Sequence, residues 1–112
     1  MNDSDNNYEF VEICSVDEIT PVERLNIEID DTPIILFQIE DQYYAIGNVC
    51  THDNGPLGEG QQEGCCTIVC PRHGARFDIK TGAVKSMPAV KPIPTYPVRV
   101  ENNLIFIGIP QE

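Results

Sequence analysis

From Tyr8 onward the chain alternates short apolar runs with clusters of Asp, Asn, Gly and Pro. This is the grammar of strands and turns, because side chains on a strand point to opposite faces with a period of two. The pattern predicts strands over Phe10–Ile13, Val22–Ile29, Ile34–Glu40, Tyr43–Ile46, Thr67–Cys70, Arg76–Asp78, Val98–Glu101 and Leu104–Ile109. Compact turns are expected at Asp30-Asp31-Thr32-Pro33, at Asp41-Gln42 and at Asn102-Asn103, the last because asparagine tolerates positive φ. Helical periodicity is confined to one turn near Val16–Ile19, and nine prolines and eight glycines point the same way. An all-β sandwich or barrel follows.

The first seven residues read as a disordered tail, leaving 8–112 as one domain with no repeat or linker to divide it. The sheet pattern is interrupted between residues 47 and 75, which predicts a small lobe on a larger β base. No run of about 18 apolar residues is present, so no membrane span is expected. The polar, acidic start MNDSDNNYEF lacks the basic and apolar regions of a secretory signal, which predicts a cytoplasmic protein.

Charge narrows the partners. The formal net charge is -11, yet residues 1–71 hold fifteen acids and only Arg24 as a base, while residues 72–112 hold three acids and six bases. Nucleic acid is excluded as a partner, since phosphate binding needs concentrated Lys and Arg. An acidic carrier is instead steered toward basic protein surfaces, more weakly as salt rises; a plain solubilising surface explains the same charge.

Candidate chemistry sits in the interrupted stretch. Cys50-Thr51-His52 and Cys70-Pro71-Arg72-His73 contain both histidines of the chain, separated by seventeen residues, with Gly55-Pro56 shortly after the first pair and Gly74 directly after the second. Each loop thus offers one thiolate and one imidazole to a shared metal site. Tetrahedral zinc can be bound by two cysteines and two histidines, but zinc fingers pair like with like, whereas here each loop carries one of each. The nearby glycines also let backbone N–H groups approach the ligand sulfurs. Five cysteines are an odd number for a disulfide scaffold, so Cys14, Cys65 and Cys66 are expected as buried or partly buried thiols, with alternation sending Cys65 and Cys66 to opposite faces.

The two segments CTHDNGPLGEG and CPRHGARFD resemble the ligand loops of the Rieske 2Fe-2S family, and most of all those of its small soluble ferredoxins. The resemblance implies one 2Fe-2S cluster per chain, with Cys50 and Cys70 on one iron and His52 and His73 on the other. It places Met87-Pro88-Ala89-Val90 where the family carries a loop over the cluster. Respiratory relatives link their two loops by a disulfide at positions matching Gly55 and Arg72, and carry a serine and a tyrosine at positions matching Ala75 and Phe77. Without those hydroxyls near the cluster, a low reduction potential is expected, near the bottom of the family's span of about -150 to +300 mV.

Many Rieske proteins are oxygenases whose cluster feeds a mononuclear iron, commonly held by two histidines and a carboxylate, and this chain has no histidine to spare. No GxGxxG or P-loop is visible either. The resemblance therefore implies an electron-transfer component rather than an enzyme, carrying single electrons from a flavin-dependent NAD(P)H reductase to the terminal oxygenase of a dioxygenase system. Alternatives are a ferredoxin linked to iron-sulfur assembly, the small subunit of an assimilatory nitrite reductase, and a zinc-stabilised module. The expected contact face comprises Asp53, Pro56, Leu57, Arg72 and Pro88.

Overall fold

The computed structural model describes residues 7–87, 89 and 91–111. Among the described residues, eleven strands and one helical turn follow in order: β1 (Tyr8–Ser15), α1 (Val16–Ile19), β2 (Arg24–Ile29), β3 (Thr32–Ile39), β4 (Gln42–Gly47), β5 (Gln62–Glu63), β6 (Thr67–Val69), β7 (Arg76–Asp78), β8 (Val84–Ser86), β9 (Thr95–Tyr96), β10 (Val98–Glu101) and β11 (Leu104–Pro110). They form three antiparallel sheets, β1-β11-β10, β2-β3-β4-β9 and β5-β6-β7-β8, so the all-β architecture holds.

β3 is the spine. Its run Ile34-Ile35-Leu36-Phe37 is fully buried without a polar interruption because both faces of the strand are covered. Ile34 and Leu36 pack with Ile105, Ile107 and Ile109 of β11, while Ile35, Phe37 and Ile39 pack with Ile68, Phe77 and Ile79 beneath the third sheet. Alternation along one strand thus divides the core in two. The base is the first pair of sheets, and the third sheet with its loops covers the opposite side.

A bulge in β1 shifts its register between Glu12 and Cys14 against β11. The extra residue moves Cys14 into the base core, where it is 7% exposed and its thiol is pushed up by burial and by the nearby Glu18 carboxylate.

Three tight hairpins have positive φ at both central residues: Asp30-Asp31, Glu40-Asp41 and Asn102-Asn103. This is the twist that two-residue hairpins prefer. The Asn102-Asn103 turn and the helical turn at Val16–Ile19 lie where the pattern predicts them. The other two differ: Thr32 and Pro33 join β3, Gln42 joins β4, and Glu40 enters a turn rather than ending a strand. Hairpin twist overrides the weak local preference of Glu40 for positive φ.

Three strands escape the pattern. β5, β8 and β9 have two or three residues each, too few to show alternation, and are set by ladders such as Phe77↔Val84 and Ala45↔Tyr96. The third sheet accordingly runs on to Ser86, past the expected end of the lobe at Ala75. Of the expected tail, residues 1–6 lie outside the described residues, and the Asn7 carbonyl accepts the Gln111 N–H at 2.6 Å.

Candidate metal centre

Two loops with one backbone design carry the predicted residues. In the first, Cys50 N–H donates to Gly55 O at 2.7 Å and Asn54 N–H to Cys50 O at 2.6 Å; in the second, Cys70 N–H donates to Ala75 O at 2.8 Å and Gly74 N–H to Cys70 O at 3.0 Å. The residue four places after each cysteine takes positive φ, 62° at Asn54 and 77° at Gly74. Asparagine and glycine are the residues that tolerate this. The first loop leaves β4, and the second joins β6 to β7.

Each loop wraps its sulfur with amides. The N–H groups of His52 and Asp53 face Cys50, and those of Arg72 and His73 face Cys70. The two thiols are 0% and 1% exposed and lie within hydrogen-bonding contact of each other. Burial pushes the Cys50 thiol up against the pull of its amides, whereas at Cys70 the amides and the Cys50 sulfur outweigh burial and the thiol is drawn down.

The two histidines are exposed, unlike the thiols. His52 and His73 meet edge to face, with ring centroids 4.8 Å apart and planes at 82°. A histidine two residues after one cysteine and three after the other therefore converges with its counterpart at one place. The structure thus sets Cys50 beside Cys70 and His52 beside His73, with the Asp53 carboxylate near both sulfurs and 3.3 Å from His73 Nε2. This donor set, two buried thiols and two exposed imidazoles on amide-rich loops, fits a cluster with two kinds of ligand.

Asp53 is the site residue that spacing does not reveal. Its carboxylate oxygen and the Cys50 and Cys70 sulfurs lie within 4.8 Å of one another. It also ties the loops together: Arg72 Nε donates to Asp53 Oδ2 at 2.7 Å, Nη2 to Oδ1 at 3.1 Å, and Nη1 to Pro56 O at 2.8 Å. A Cβ at Gly55 would lie 2.6 Å from the Arg72 guanidinium carbon, so glycine makes room for the clamp. Gly55 and Arg72 do meet across the loops, joined by a charge-assisted fork instead of a disulfide.

Arg72 chiefly, with the Gly55 N–H, holds the Asp53 carboxyl well below the usual carboxylate range. A depressed carboxyl stabilises the fold above its unfolded value near 4 and loses that contribution only as pH falls through the lower folded value. The clamp is therefore expected to survive acidification to pH 4. An Asp53→Asn protein should release iron faster at pH 7 than the parent, measured by trapping with a chelator; equal rates would show that the clamp does not guard the site.

Arg24, the sole base before residue 72, anchors the lobe to the base. Its Nη1 donates to Gly58 O at 3.0 Å and to Gly60 O at 2.8 Å, and its guanidinium lies 5.2 Å from the Phe37 ring centroid. Asn48 Oδ1 holds the same stretch by accepting the N–H groups of Leu57 and Gly58 at 2.6 and 2.8 Å. Replacing Arg24 with methionine is expected to cost about 2–4 kcal/mol, since two carbonyls lose a charged donor. Urea unfolding checks this.

Some expected surroundings change. Leu57 is fully buried among the residues that enclose Cys50 and Cys70, so it leaves the contact face. Ala75 and Phe77 are also fully buried in that cluster, and neither brings a hydroxyl there. Ala89 packs beside them, Met87 is 79% exposed, and Pro88 and Val90 lie outside the described residues. Cys65 and Cys66 are joined as a disulfide in the turn between β5 and β6, with Cys65 exposed. They precede the strand, so alternation does not govern them.

Comparison with known proteins agrees with this geometry. The Rieske 2Fe-2S domain family matches residues 9–97. The chain is 41% identical to the 3-phenylpropionate/cinnamic acid dioxygenase ferredoxin subunit of Shigella boydii, over 88% of this chain and 92% of that one. A solved ferredoxin of Sphingomonas yanoikuyae B1 superposes with a TM-score of 0.81 and 32% identity, over 91% of this chain and 100% of that one. A chain of the solved complex of reduced oxygenase and oxidised ferredoxin in carbazole 1,9a-dioxygenase gives a TM-score of 0.81 at 25% identity, over 92% of this chain and 95% of that one. Fold, paired loops and relatives together establish that this chain belongs to the Rieske 2Fe-2S domain family.

Proposed function

We propose that this chain is a one-electron carrier, a Rieske ferredoxin that accepts electrons from a flavin-dependent NAD(P)H reductase and delivers them to the terminal oxygenase of a ring-hydroxylating system. The observation that carries the reading is the pairing of Cys50 with Cys70 and of His52 with His73 on two matched loops, with Asp53 reaching both pairs. Cys50 and Cys70 would hold one iron of a 2Fe-2S cluster and His52 and His73 the other. When bound, the cluster supplies reversible one-electron transfer.

The chain's own residues set the conditions. Two amides turned toward each buried sulfur favour the thiolate form that a cluster needs; they prevail over burial at Cys70, while burial prevails at Cys50. His73 Nε2 lies 3.3 Å from Asp53 Oδ2, leaving the other ring nitrogen to act as ligand while the carboxylate fixes the ring. The exposed edges of His52 and His73 bring the centre to the surface, where a partner can approach. The only two histidines are engaged there, which suits a carrier rather than a catalyst. Free buried thiols at Cys14, Cys50 and Cys70 suit a reducing, cytoplasmic setting. Among the described residues no helix is long and apolar enough to cross a membrane.

Residues 48–86 hold four acids and four bases, so the whole net charge of -11 resides outside the lobe. Asp53 is engaged with Arg72 and Glu63 with Arg76, so the exposed residues on the ligand loops beside the imidazoles, His52, Pro56 and His73, carry no unpaired carboxylate; family resemblance adds Met87, 79% exposed, from the loop expected over the cluster. Charge reversal at Asp53 or Arg72 breaks the clamp as well as changing the surface, so Met87→Glu is the cleaner probe. It should slow transfer to the oxygenase with an unchanged visible spectrum.

The reading is tested by mixing reduced, cluster-loaded protein with a ring-hydroxylating oxygenase and its substrate. Reoxidation coupled to product formation is expected. A cluster that stays reduced with such oxygenases, or that no flavin reductase reduces, counts against the pathway while leaving the family assignment in place.

A further inference from the structure

Of the five cysteines, Cys14, Cys50 and Cys70 are buried, Cys66 is partly buried against the core that encloses Cys50 and Cys70, and only Cys65 is exposed. Cys65 and Cys66 occupy the β5–β6 turn with their sulfurs joined. Contacts that do not involve the sulfurs also hold this turn. Gln62 Nε2 donates to Cys65 O at 2.7 Å, Ile79 N–H donates to Cys66 O at 2.7 Å, and the ladder pairs Gln62↔Ile68 and Glu63↔Thr67 close the hairpin. All of these contacts use backbone or amide groups and leave the sulfurs free to exchange between two oxidation states.

We propose that Cys65–Cys66 is a reversible dithiol–disulfide site, separate from the metal centre, that reacts with peroxide ahead of the buried ligand thiols. The electrons balance with hydrogen peroxide as the oxidant. The exposed Cys65 thiolate attacks one peroxide oxygen, forming a sulfenic acid and releasing water after proton uptake. Cys66 then displaces the hydroxyl as a second water, and the S–S bond forms. Two thiols lose two electrons and two protons to one peroxide. A small dithiol reverses the step by exchange, itself becoming the disulfide.

Position favours this role. Access controls thiol reactivity, and Cys65 is the sulfur that solvent meets first. Its neighbour supplies the second sulfur with no chain movement beyond the turn. The three residues of β6 separate Cys66 from Cys70, roughly 13 Å along an extended strand, so the pair reacts without entering the ligand loops.

The test uses cluster-loaded protein, reduced with dithiothreitol, desalted, treated with graded hydrogen peroxide and trapped with iodoacetamide. The expected result is a 65–66 peptide lighter by two hydrogens that escapes alkylation at doses leaving the visible cluster absorption unchanged, and that regains both alkylation sites after dithiothreitol. Cys65→Ser and Cys66→Ser proteins should bleach at several-fold lower peroxide. The proposal is overturned if both thiols remain alkylatable when bleaching begins, if Cys65 proceeds to an irreversible sulfinic acid without joining Cys66, or if the variants bleach at the parent's dose. Peptide masses of the parent protein decide the matter even where a variant fails to load its cluster.

Discussion

Replacing Cys70 with serine is expected to yield a protein that purifies without colour and with iron reduced at least about tenfold, the lower bound set by what even outer partners of metal ligands contribute. Cys70 is 1% exposed and faces Cys50 across the floor of the site, with the N–H groups of Arg72 and His73 turned toward its sulfur. A serine hydroxyl does not ionise there, so one thiolate and its charge are lost while the amides that served it remain. Binding energy at such a site is also folding energy, on the order of 10 kcal/mol for structural metal sites. The lobe should therefore unfold at lower urea as well. Equivalent losses are expected for Cys50→Ser, His52→Ala and His73→Ala, whereas Cys14→Ser and Cys66→Ser should keep the full iron content. Metal and sulfide analysis across this set assigns the ligands one by one. Retained iron in any of the first four variants would remove that residue from the set.

The second large effect lies in backbone packing. A Cβ on Gly60 would stand 2.1 Å from the Val69 carbonyl oxygen and 3.0 Å from that of Leu57, and no side-chain rotation relieves a clash with backbone. Gly60 N–H also donates to Leu57 O at 2.7 Å, and its own carbonyl receives Arg24. The strand leading into Cys70 must shift to admit an alanine. Gly60→Ala is expected to cost about 3 kcal/mol or more, in the upper range for single substitutions and a large share of a small domain's stability. Gly64, at φ 57° but with nothing within 4 Å of an added Cβ, is the natural comparison. Gly64→Ala should cost only the 1–2 kcal/mol or so of placing a side chain in the left-handed region. Urea midpoints of the two variants, measured side by side on cluster-loaded protein, separate close approach from conformational strain.

Much of this organisation is written locally. The apolar run Ile34–Phe37 announces a strand covered on both sides, Asn102-Asn103 announces its hairpin, and two mixed cysteine and histidine loops announce a metal site. Those signals are local because period, turn chemistry and ligand type each belong to a few neighbouring residues. The parts that stayed hidden depend on contacts across long stretches of chain. Arg24 reaches Gly58 and Gly60, Asp53 meets Arg72 nineteen residues on, and Gly60 is required by the Val69 carbonyl. β5, β8 and β9 exist because a neighbouring strand offers them a ladder, and their own residues carry no alternation to show it. The exposed Cys65 was hidden for a related reason: a turn, unlike the strand that follows it, imposes no alternation on its side chains.

Internal similarity of the two ligand loops is the feature that sequence shows least and structure shows most. CTHDNG and CPRHGA share only cysteine at the first position, yet both close a ring from the cysteine N–H to the carbonyl five residues later. The histidine at the third place in one and the fourth in the other then reach a common point. The loops are two copies of one solution, clamped by Asp53 and Arg72.

The burial of Ala75 and Phe77 near the thiols bears on potential. A hydroxyl introduced by Ala75→Ser, if it donates to a ligand sulfur, favours the reduced state by about 1.5 kcal/mol, which for one electron is a rise of about 60 mV. A midpoint unmoved by this change would show that position 75 does not tune the centre.

The most direct measurement is a redox titration of anaerobically purified protein followed by low-temperature electron paramagnetic resonance. A Rieske-type signal that appears on reduction at negative potential, near the bottom of the span of about -150 to +300 mV, is the predicted result. A midpoint well above zero would contradict the low-potential carrier, and zinc in place of iron with no signal would contradict the cluster on which the electron-carrier account depends.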